Sequence, residues 1–271
     1  MQLIASIILG IILGITEFLP VSSLGHSIVL AALFGFPPTK EARDVLVVFI
    51  QAGAVLAVIV YYARDLLTQA RQLPTDPKVQ RLWLNVIVAF IPIGILGLVF
   101  NSAIKKYLFS PLIVAAALIV GGVIFLLVEQ RKHQPVTHNL EDITLRQALL
   151  VGIAQITALI PGVSRSGATI IGGMLTGLDR TVATTFTFYL FIPTLGAASA
   201  YSLYTAFRDK LVDSSLIPYF LIAAVVGFVV SLVAIRWLLR YISTHDFRPF
   251  GIYRIVIGVI VIIVVLVFKI Q

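Results

Sequence analysis

The stretch IILGITEFLPVSSLGHSIVLAALF, residues 11–34, decides how this chain folds. It lies in an apolar region, about 3–34, that is interrupted by the segment PVSSLGHS at 20–27. A second apolar region, about 147–178, is interrupted by PGVSRSGAT at 161–169. Irregular polar backbone is tolerated at membrane depth only where it is buried in protein or lines a wet cavity. Each interruption therefore predicts a functional site, whether the region forms two spans or one re-entrant hairpin.

The rest of the chain has the composition of a polytopic membrane protein. Of its 271 residues, 59% are hydrophobic and only 12% are charged, and the mean hydropathy is +1.05. Uninterrupted apolar stretches of about the 20 residues that a membrane-spanning helix needs run over 45–63, 83–100, 111–128, 182–206, 216–235 and 252–269. We therefore predict an all-α polytopic membrane protein. It has one membrane domain, 1–271, with about six transmembrane helices and two re-entrant helical hairpins.

Charge and cysteine content exclude several classes of function. The formal net charge is +8, but most Lys and Arg residues lie in short loops, where membrane topology explains them without a nucleic-acid partner. The absence of cysteine excludes disulfides, thiolate metal sites and a cysteine nucleophile. In the six-span arrangement, the loops 64–82, 129–146, 177–181 and 236–254 share a side and carry most of the basic residues. Basic loops stay in the cytoplasm, so we expect the first hairpin to open outward.

The two interrupted segments are similar to each other. Residues 21–27 (VSSLGHS) align with residues 163–169 (VSRSGAT), and an Arg-Asp pair follows a later span in each half, at 64–65 and at 208–209. Three spans separate the two segments, an odd number, so the halves would have opposite orientations. We therefore predict inverted repeats, about 1–128 and 143–271. Such repeats place their site where broken helices meet near the membrane midplane.

Two charged residues within these apolar regions are the first candidates for chemistry. Glu17 is the only acidic residue among the first 40, and an unpaired carboxylate at membrane depth is costly. It could act as a general base, a metal ligand or a counter-ion, or it could reach an interface with no functional role. Arg165 is the only cation of the second segment. It could bind phosphate, or form a structural ion pair with Glu17 and no ligand.

Small and hydroxyl residues surround both charges. Backbone N–H groups at a helix start, hydroxyls and an arginine together form a phosphate cradle, here predicted from Ser164, Arg165, Ser166, Gly167 and Thr169. In the first segment, a serine beside a histidine or carboxylate can be an activated nucleophile, although such serines often only cap a helix. The candidates there are Ser22, Ser23 and His26. Gln51 and Gln155 are expected to line the cavity, with helix–helix hydrogen bonding as the alternative.

Several motifs together resemble one family. They are TEFLPVSSLGHS (16–27), IQAGAVLAV (50–58), PGVSRSGATIIGGML (161–175), FTFYLFIP (186–193) and YRIVIG (253–258). The chain is similar over nearly its whole length to the undecaprenyl pyrophosphate phosphatases, integral membrane phosphatases of the bacitracin-resistance type. The resemblance implies that the chain removes the terminal phosphate from a C55 polyprenyl diphosphate in the bacterial plasma membrane, at the outer face. This reaction recycles the lipid carrier of cell-wall precursors.

The resemblance also implies roles for individual residues and a divalent cation, Mg²⁺ or Ca²⁺. Glu17, Ser23, His26 and Arg165 would be catalytic, with Glu17 also a metal ligand. The phosphate would contact Ser22, Ser164, Arg165, Ser166, Gly167 and Thr169. Ser23 would attack the terminal phosphorus while His26 or Glu17 takes its proton, and attack by His26 itself is a variant of the same scheme.

The chain departs from the family pattern at four positions. Leu13 stands where a second acidic residue or a glutamine is expected, Leu24 replaces a threonine, and Val47 and Thr185 replace residues that are often glutamate. Fewer carboxylates weaken a site for a hard cation, which places the metal and full activity in question. Two alternatives therefore stay open: a polyprenyl-phosphate translocase of the same fold, and a purely structural membrane protein. The lipid bilayer is the expected surrounding, and a homodimer is possible.

Overall fold

The computed structural model describes residues 1–108, 110–130, 134–209, 211 and 213–268, without the side chains of 101–106. These residues form eleven α-helices, three short 3-10 helices and no β-strand. The α-helices are α1 (Gln2–Phe18), α2 (Ser23–Phe34), α3 (Lys40–Tyr61), α4 (Ala63–Gln72), α5 (Pro77–Tyr107), α6 (Pro111–Gln130), α7 (Leu145–Ile156), α8 (Arg165–Leu175), α9 (Arg180–Arg208), α10 (Ile217–Ile242) and α11 (Arg248–Phe268). The 3-10 helices are Leu140–Asp142, Thr157–Leu159 and Ser214–Leu216. The prediction of an all-α fold is confirmed.

Six of the helices are long and apolar enough to cross a membrane: α3, α5, α6, α9, α10 and α11. Each covers all or nearly all of one of the six predicted apolar stretches, so the prediction of a polytopic membrane protein is confirmed. Several begin earlier than their apolar stretch because a polar residue caps the first turn. Thr39 accepts a hydrogen bond from the Ala42 amide before α3, and Asp179 accepts one from the Val182 amide before α9.

The two interrupted regions form pairs of short helices. α1, α2, α7 and α8 have 17, 12, 12 and 11 residues, fewer than the roughly 20 that a perpendicular span requires. The first loop, residues 19–22, joins α1 to α2, and the second loop, residues 160–164, leads into α8. Each loop ends in a serine with left-handed backbone, Ser22 with φ 69° and Ser164 with φ 68°. These two serines are aligned with each other in the sequence comparison of the halves.

Close contacts between non-adjacent helices hold the bundle together. The most extensive are α1 with α10, α6 with α11, α3 with α10, and α5 with α7. Small residues permit the α1–α10 approach, because a Cβ on Gly14 would lie 2.8 Å from the Gly227 carbonyl oxygen. Ser231 of α10 also donates a hydrogen bond to the Gly14 carbonyl at 3.1 Å. Shape and polar contacts therefore fix α1, which carries Glu17 near its end.

One end of the bundle is tied together by ion pairs and backbone hydrogen bonds. The buried carboxylate of Glu129, at the end of α6, accepts hydrogen bonds from Arg180 of α9 and from the Phe247 amide before α11. Lys78 of α5 pairs with Glu141 at 2.9 Å. Residues of the loops 64–82, 129–146, 177–181 and 236–254 therefore lie at this common end.

Candidate active site

A cavity of about 730 Å³ opens at the end of the bundle opposite to Glu129. Its mouth is lined by the start of α3, including Lys40 and Arg43, by the start of α6 and by the end of α9. Its floor is formed by the first and second loops, with Glu17, Ser23 and Arg165 in its wall. Apolar side chains of α1, α2 and α3 line much of the remainder, so the cavity has a polar floor and apolar walls.

Glu17 and Ser23 form a hydrogen-bonded pair at the floor. The Ser23 hydroxyl, at the first position of α2, donates to Glu17 Oε2 at 2.7 Å. Glu17 is buried at the end of α1, and the 19–22 loop turns the chain back so that the two side chains meet. A carboxylate within hydrogen-bond reach of a hydroxyl is positioned to take its proton. The pair predicted from sequence is therefore assembled.

The start of α2 is open to an anion. No side chain caps its first turn, whereas the Ser164 hydroxyl accepts the Gly167 amide at the start of α8 at 3.2 Å. Uncapped first-turn N–H groups carry the positive end of the helix dipole. Ser22 and Ser23 both line the cavity, so the start of α2 borders it next to the Glu17–Ser23 pair.

Arg165 supplies the positive charge on the other side of the floor. Its guanidinium lies 5.7 Å from the centroid of the Phe191 ring, and its buried Nη1 has no hydrogen-bond partner. Glu17 attracts it at longer range, but these two described residues form no ion pair. A buried guanidinium nitrogen without an acceptor is costly. Other atoms of the Arg165 side chain line the cavity, so its charge lies beside any oxyanion ligand that binds there.

The other predicted phosphate ligands lie behind the cavity wall. The Ser166 hydroxyl is within 3.4 Å of the Glu17 and Leu19 carbonyl oxygens and so joins the two loops. Thr169 donates to the Arg165 carbonyl at 3.0 Å and accepts a hydrogen bond from Thr187. A Cβ on Gly167 would lie 3.2–3.4 Å from neighbouring side chains, so this position is tightly packed. Because their polar groups are occupied in helix and loop contacts, these three residues shape the turn that carries Ser164 and Arg165.

His26 does not join the Glu17–Ser23 pair. Its Nδ1 is 2.8 Å from the Ser22 carbonyl oxygen, and its Nε2 is 2.8 Å from the Tyr253 hydroxyl of α11. The imidazole is buried between α2 and α11 and does not line the cavity. Both ring nitrogens are engaged, so in this conformation His26 neither takes the Ser23 proton nor faces a substrate.

The two glutamines that were predicted to line the cavity lie in different surroundings. Gln51 lines the cavity as predicted, but Gln155 does not. Gln155 is buried against α5, with Nε2 3.5 Å from the Ala89 carbonyl oxygen. Gln155 thus makes the helix–helix hydrogen bond that was the alternative, at a place where α7 and α5 approach closely: a Cβ on Gly152 would lie 2.5 Å from the Ala89 carbonyl oxygen.

Arg254 belongs to the site, although the sequence analysis places it in the predicted loop 236–254. It is in fact inside α11 and fully buried, without an acidic partner among the described residues. Its Nη1 donates to the Pro20 carbonyl at 3.1 Å, and its Nη2 donates to the Gly162 and Val163 carbonyls at 3.2 and 3.0 Å. One guanidinium therefore joins the first loop to the second. The available signal was the pair Tyr253-Arg254 inside an otherwise apolar stretch.

The donor set for a cation is small. Leu13, Leu24 and Val47, three of the positions that depart from the family pattern, line the cavity, so no carboxylate enters it there. Thr185 instead lines a second cavity of about 570 Å³ near Lys78 and His138, at the opposite end. In the part of the chain that the structure describes, no cluster of three or more His, Asp or Glu residues could hold a metal. At the floor, Glu17 fits a cation that takes its other ligands from a substrate's phosphate oxygens, whereas Glu41 and Asp44 line the cavity on α3, nearer its mouth.

Known proteins are similar to this chain over almost its whole length. The family model described as "Bacitracin resistance protein BacA" matches residues 6–260. An undecaprenyl-diphosphatase of Deinococcus radiodurans is 49% identical, covering 98% of this chain and 96% of that protein. Undecaprenyl-diphosphatase 2 of Rhodospirillum rubrum and undecaprenyl-diphosphatase 1 of Chromobacterium violaceum are each 48% identical over 96% of this chain, and 94% and 95% of those proteins are covered. The chain belongs to the BacA family of bacitracin resistance proteins.

Proposed function

We propose that this chain hydrolyses undecaprenyl diphosphate to undecaprenyl phosphate and inorganic phosphate. The observation that carries the proposal is the Arg165 side chain, a cation that forms no ion pair among the described residues and that lines the cavity whose floor also holds the Glu17–Ser23 pair. A diphosphate would balance this charge, and the apolar walls suit the first part of a polyprenyl chain. The relatives named undecaprenyl-diphosphatase support the same reaction.

The proposed chemistry uses Ser23 as nucleophile. Its oxygen attacks the terminal phosphorus, its proton passes to Glu17, and the bond from that phosphorus to the bridging oxygen breaks. Undecaprenyl phosphate leaves with the bridging oxygen and takes the proton from Glu17. Water then attacks the phosphoserine and gives a proton to Glu17, which passes it to the departing Ser23 oxygen, so that inorganic phosphate and free Ser23 are released. The 2.7 Å hydrogen bond between Ser23 and Glu17 favours this assignment over attack by His26, whose nitrogens are engaged elsewhere.

Positive groups on both sides of the floor would stabilise the charge that develops on phosphorus. Arg165 would bind the equatorial oxygens, and the uncapped amides of α2 would bind from the other side. Phosphatases commonly use a divalent cation to neutralise phosphate charge. Mg²⁺ or Ca²⁺ would be held here by Glu17 together with the substrate's own oxygens.

The chain is a multi-pass membrane protein, and we propose that it lies in the bacterial inner membrane with the cavity open to the outer face. The cavity opens away from the Arg- and Lys-rich end, which the positive-inside rule assigns to the cytoplasm. Re-entrant hairpins and inverted repeats are part of this proposal. They are supported by the equal φ angles of Ser22 and Ser164, and by contacts of α1 with α10 that are mirrored by those of α7 with α5. A homodimer stays a prediction, and the translocase alternative finds no support in the relatives.

The direct test is phosphate release from a C55 diphosphate by the purified full chain in detergent, with Mg²⁺, with Ca²⁺ or with EDTA. We expect cation-dependent release that falls about 10²- to 10³-fold in Arg165→Ala, the usual effect of removing one donor to a transition-state oxyanion. Arg236→Ala, which removes an exposed cation of α10, is the matched control and should retain activity. No release from the parent, or full activity in Arg165→Ala, would contradict the proposal.

A further inference from the structure

The hydrogen bonds of His26 define its protonation. The Ser22 carbonyl oxygen can only accept a hydrogen bond, so Nδ1 at 2.8 Å carries the proton of the neutral ring. Nε2 then has a lone pair and accepts from the Tyr253 hydroxyl, also at 2.8 Å. The two rings lie nearly parallel, 12° apart, with centroids separated by 5.6 Å. The Ser22 carbonyl therefore selects the Nδ1–H tautomer, and the Tyr253 hydroxyl, by binding Nε2, holds the orientation of the ring.

This contact leads directly to the nucleophile. The Ser22 carbonyl that His26 binds belongs to the peptide group between Ser22 and Ser23, so its orientation sets where α2 begins. Ser22 has φ 69°, a conformation that non-glycine residues adopt only when their surroundings hold them there. No side-chain cap holds this turn. The hydrogen bond from His26 to the Ser22 carbonyl oxygen restrains this unfavourable turn.

The next residue of α11 restrains the other half of the same loop. Arg254 donates to the Pro20 carbonyl at 3.1 Å, while Tyr253, through His26, holds the Ser22 carbonyl. Two adjacent residues of one spanning helix thus restrain the loop that places Ser23 against Glu17. Tyr253 does not line the cavity, so it would restrain the loop without touching the substrate.

We propose that Tyr253 is a positioning residue for the phosphatase reaction, acting through His26 on the peptide group that precedes Ser23. The inference rests on the proposed function, and it assigns His26 a positioning role as well. It predicts that loss of the Tyr253 hydroxyl lowers kcat and leaves KM unchanged, because the geometry of attack is loosened while the binding surface is intact.

The test combines kinetics with ¹⁵N NMR of histidine-labelled protein. In Tyr253→Phe we expect kcat to fall about tenfold, the effect of one lost hydrogen bond of ordinary strength. In a His26→Leu background the same substitution should have no further effect. Tyr241→Phe is the matched control, since Tyr241 also stacks on a histidine, His245, whose ring nitrogens its hydroxyl does not bind. It should keep the parental kcat.

The NMR measurement does not depend on turnover. The chain has four histidines, and His26→Leu identifies the signal of His26. We expect a protonated Nδ1 and an unprotonated Nε2 in the parent, and a shifted Nε2 signal in Tyr253→Phe, where this nitrogen loses its hydrogen-bond donor. Unchanged kcat and unchanged His26 signals in Tyr253→Phe would overturn the inference, as would an equal loss of kcat in the His26→Leu background. A parent without turnover would instead contradict the proposed function, whatever the His26 signals show.

Discussion

The first and second loops are built alike but present different chemistry. Each contains a proline and ends in a serine with φ near 69°, and each leads straight into a short helix. The residue that follows the serine is Ser23 in the first loop and Arg165 in the second. The same backbone geometry thus presents a hydroxyl on one side of the cavity and a guanidinium on the other.

The two loops also differ in how their helix starts are satisfied. Ser164 caps α8 through the Gly167 amide, whereas the amides of α2 have no side-chain cap. The second loop therefore ends in a capped helix start and presents the charge of Arg165. The first keeps its donors available and relies on contacts from α11. The difference indicates that binding and bond breaking can be separated by substitutions in one loop or the other.

The largest expected effect is on the chemistry of the first loop. Glu17→Gln keeps a hydrogen-bond acceptor for Ser23 but removes the base, so turnover should fall about 10²- to 10⁴-fold with a near-parental thermal midpoint in detergent. Glu129→Gln is the control at the second buried carboxylate, whose partner is Arg180. It should lose roughly 3–5 kcal/mol of stability but retain turnover per folded molecule. The same loss of turnover in both variants would contradict the distinction.

Arg254→Met should affect both loops together. It removes the donor shared by Pro20, Gly162 and Val163 and leaves their buried carbonyls with one partner fewer. We expect a stability loss of roughly 3 kcal/mol, seen as a lower thermal midpoint, together with reduced turnover. Arg254→Lys, which retains the charge but not the forked geometry, should be intermediate. Reduced turnover at parental stability would mean that Arg254 acts on the substrate rather than on the loops.

Gly162→Ala should disturb the second loop more than the first. Gly162 has φ 100°, and a Cβ there would lie 2.5 Å from the Val114 carbonyl oxygen, so the substitution should cost about 2 kcal/mol. Gly35→Ala is the matched control, because Gly35 also has a left-handed φ of 58° but no atom within 4 Å of its Cβ position. Thermal unfolding of the two variants separates the steric effect from the backbone effect. Equal midpoints would contradict the clash.

The smallest effects should come from the two left-handed serines. Ser22→Gly relieves the unfavourable φ without losing a cap, so the stability of the protein should rise by about 1 kcal/mol. Ser164→Gly gains the same relief but loses the hydrogen bond to the Gly167 amide, so its net gain should be smaller by a few tenths of a kcal/mol. Thermal midpoints compared side by side measure the difference. A larger gain for Ser164→Gly would show that its cap is not stabilising.

The spans and the two interruptions were predictable because both depend on local sequence. An apolar stretch of spanning length forms a helix whatever surrounds it, and Pro-Ser-Gly segments end helices locally. The meeting of Glu17 and Ser23 was within reach for the same reason, since only the four residues 19–22 separate α1 from α2.

The contacts that were not predictable are those made across the bundle. Arg254 binds carbonyls 234, 92 and 91 positions away along the chain, and no local pattern reveals which backbone groups will lack a partner. His26 lies one helical turn after Ser23, which suggests a catalytic pair, but its ring turns toward Tyr253 of a helix that is distant in sequence. Side-chain direction depends on tertiary packing, which helix periodicity does not specify.

The burial of Arg254 has a consequence for the electrostatic balance of the protein. Its partners are neutral carbonyls, so its charge adds to that of Arg165, while Glu17 is the one buried carboxylate nearby among the described residues. Two positive charges and one negative charge leave one net positive charge around the cavity floor. An entering diphosphate acts as the missing counter-ion. Cleavage divides that negative charge between two products, each of which is then attracted less strongly than the substrate and is free to leave.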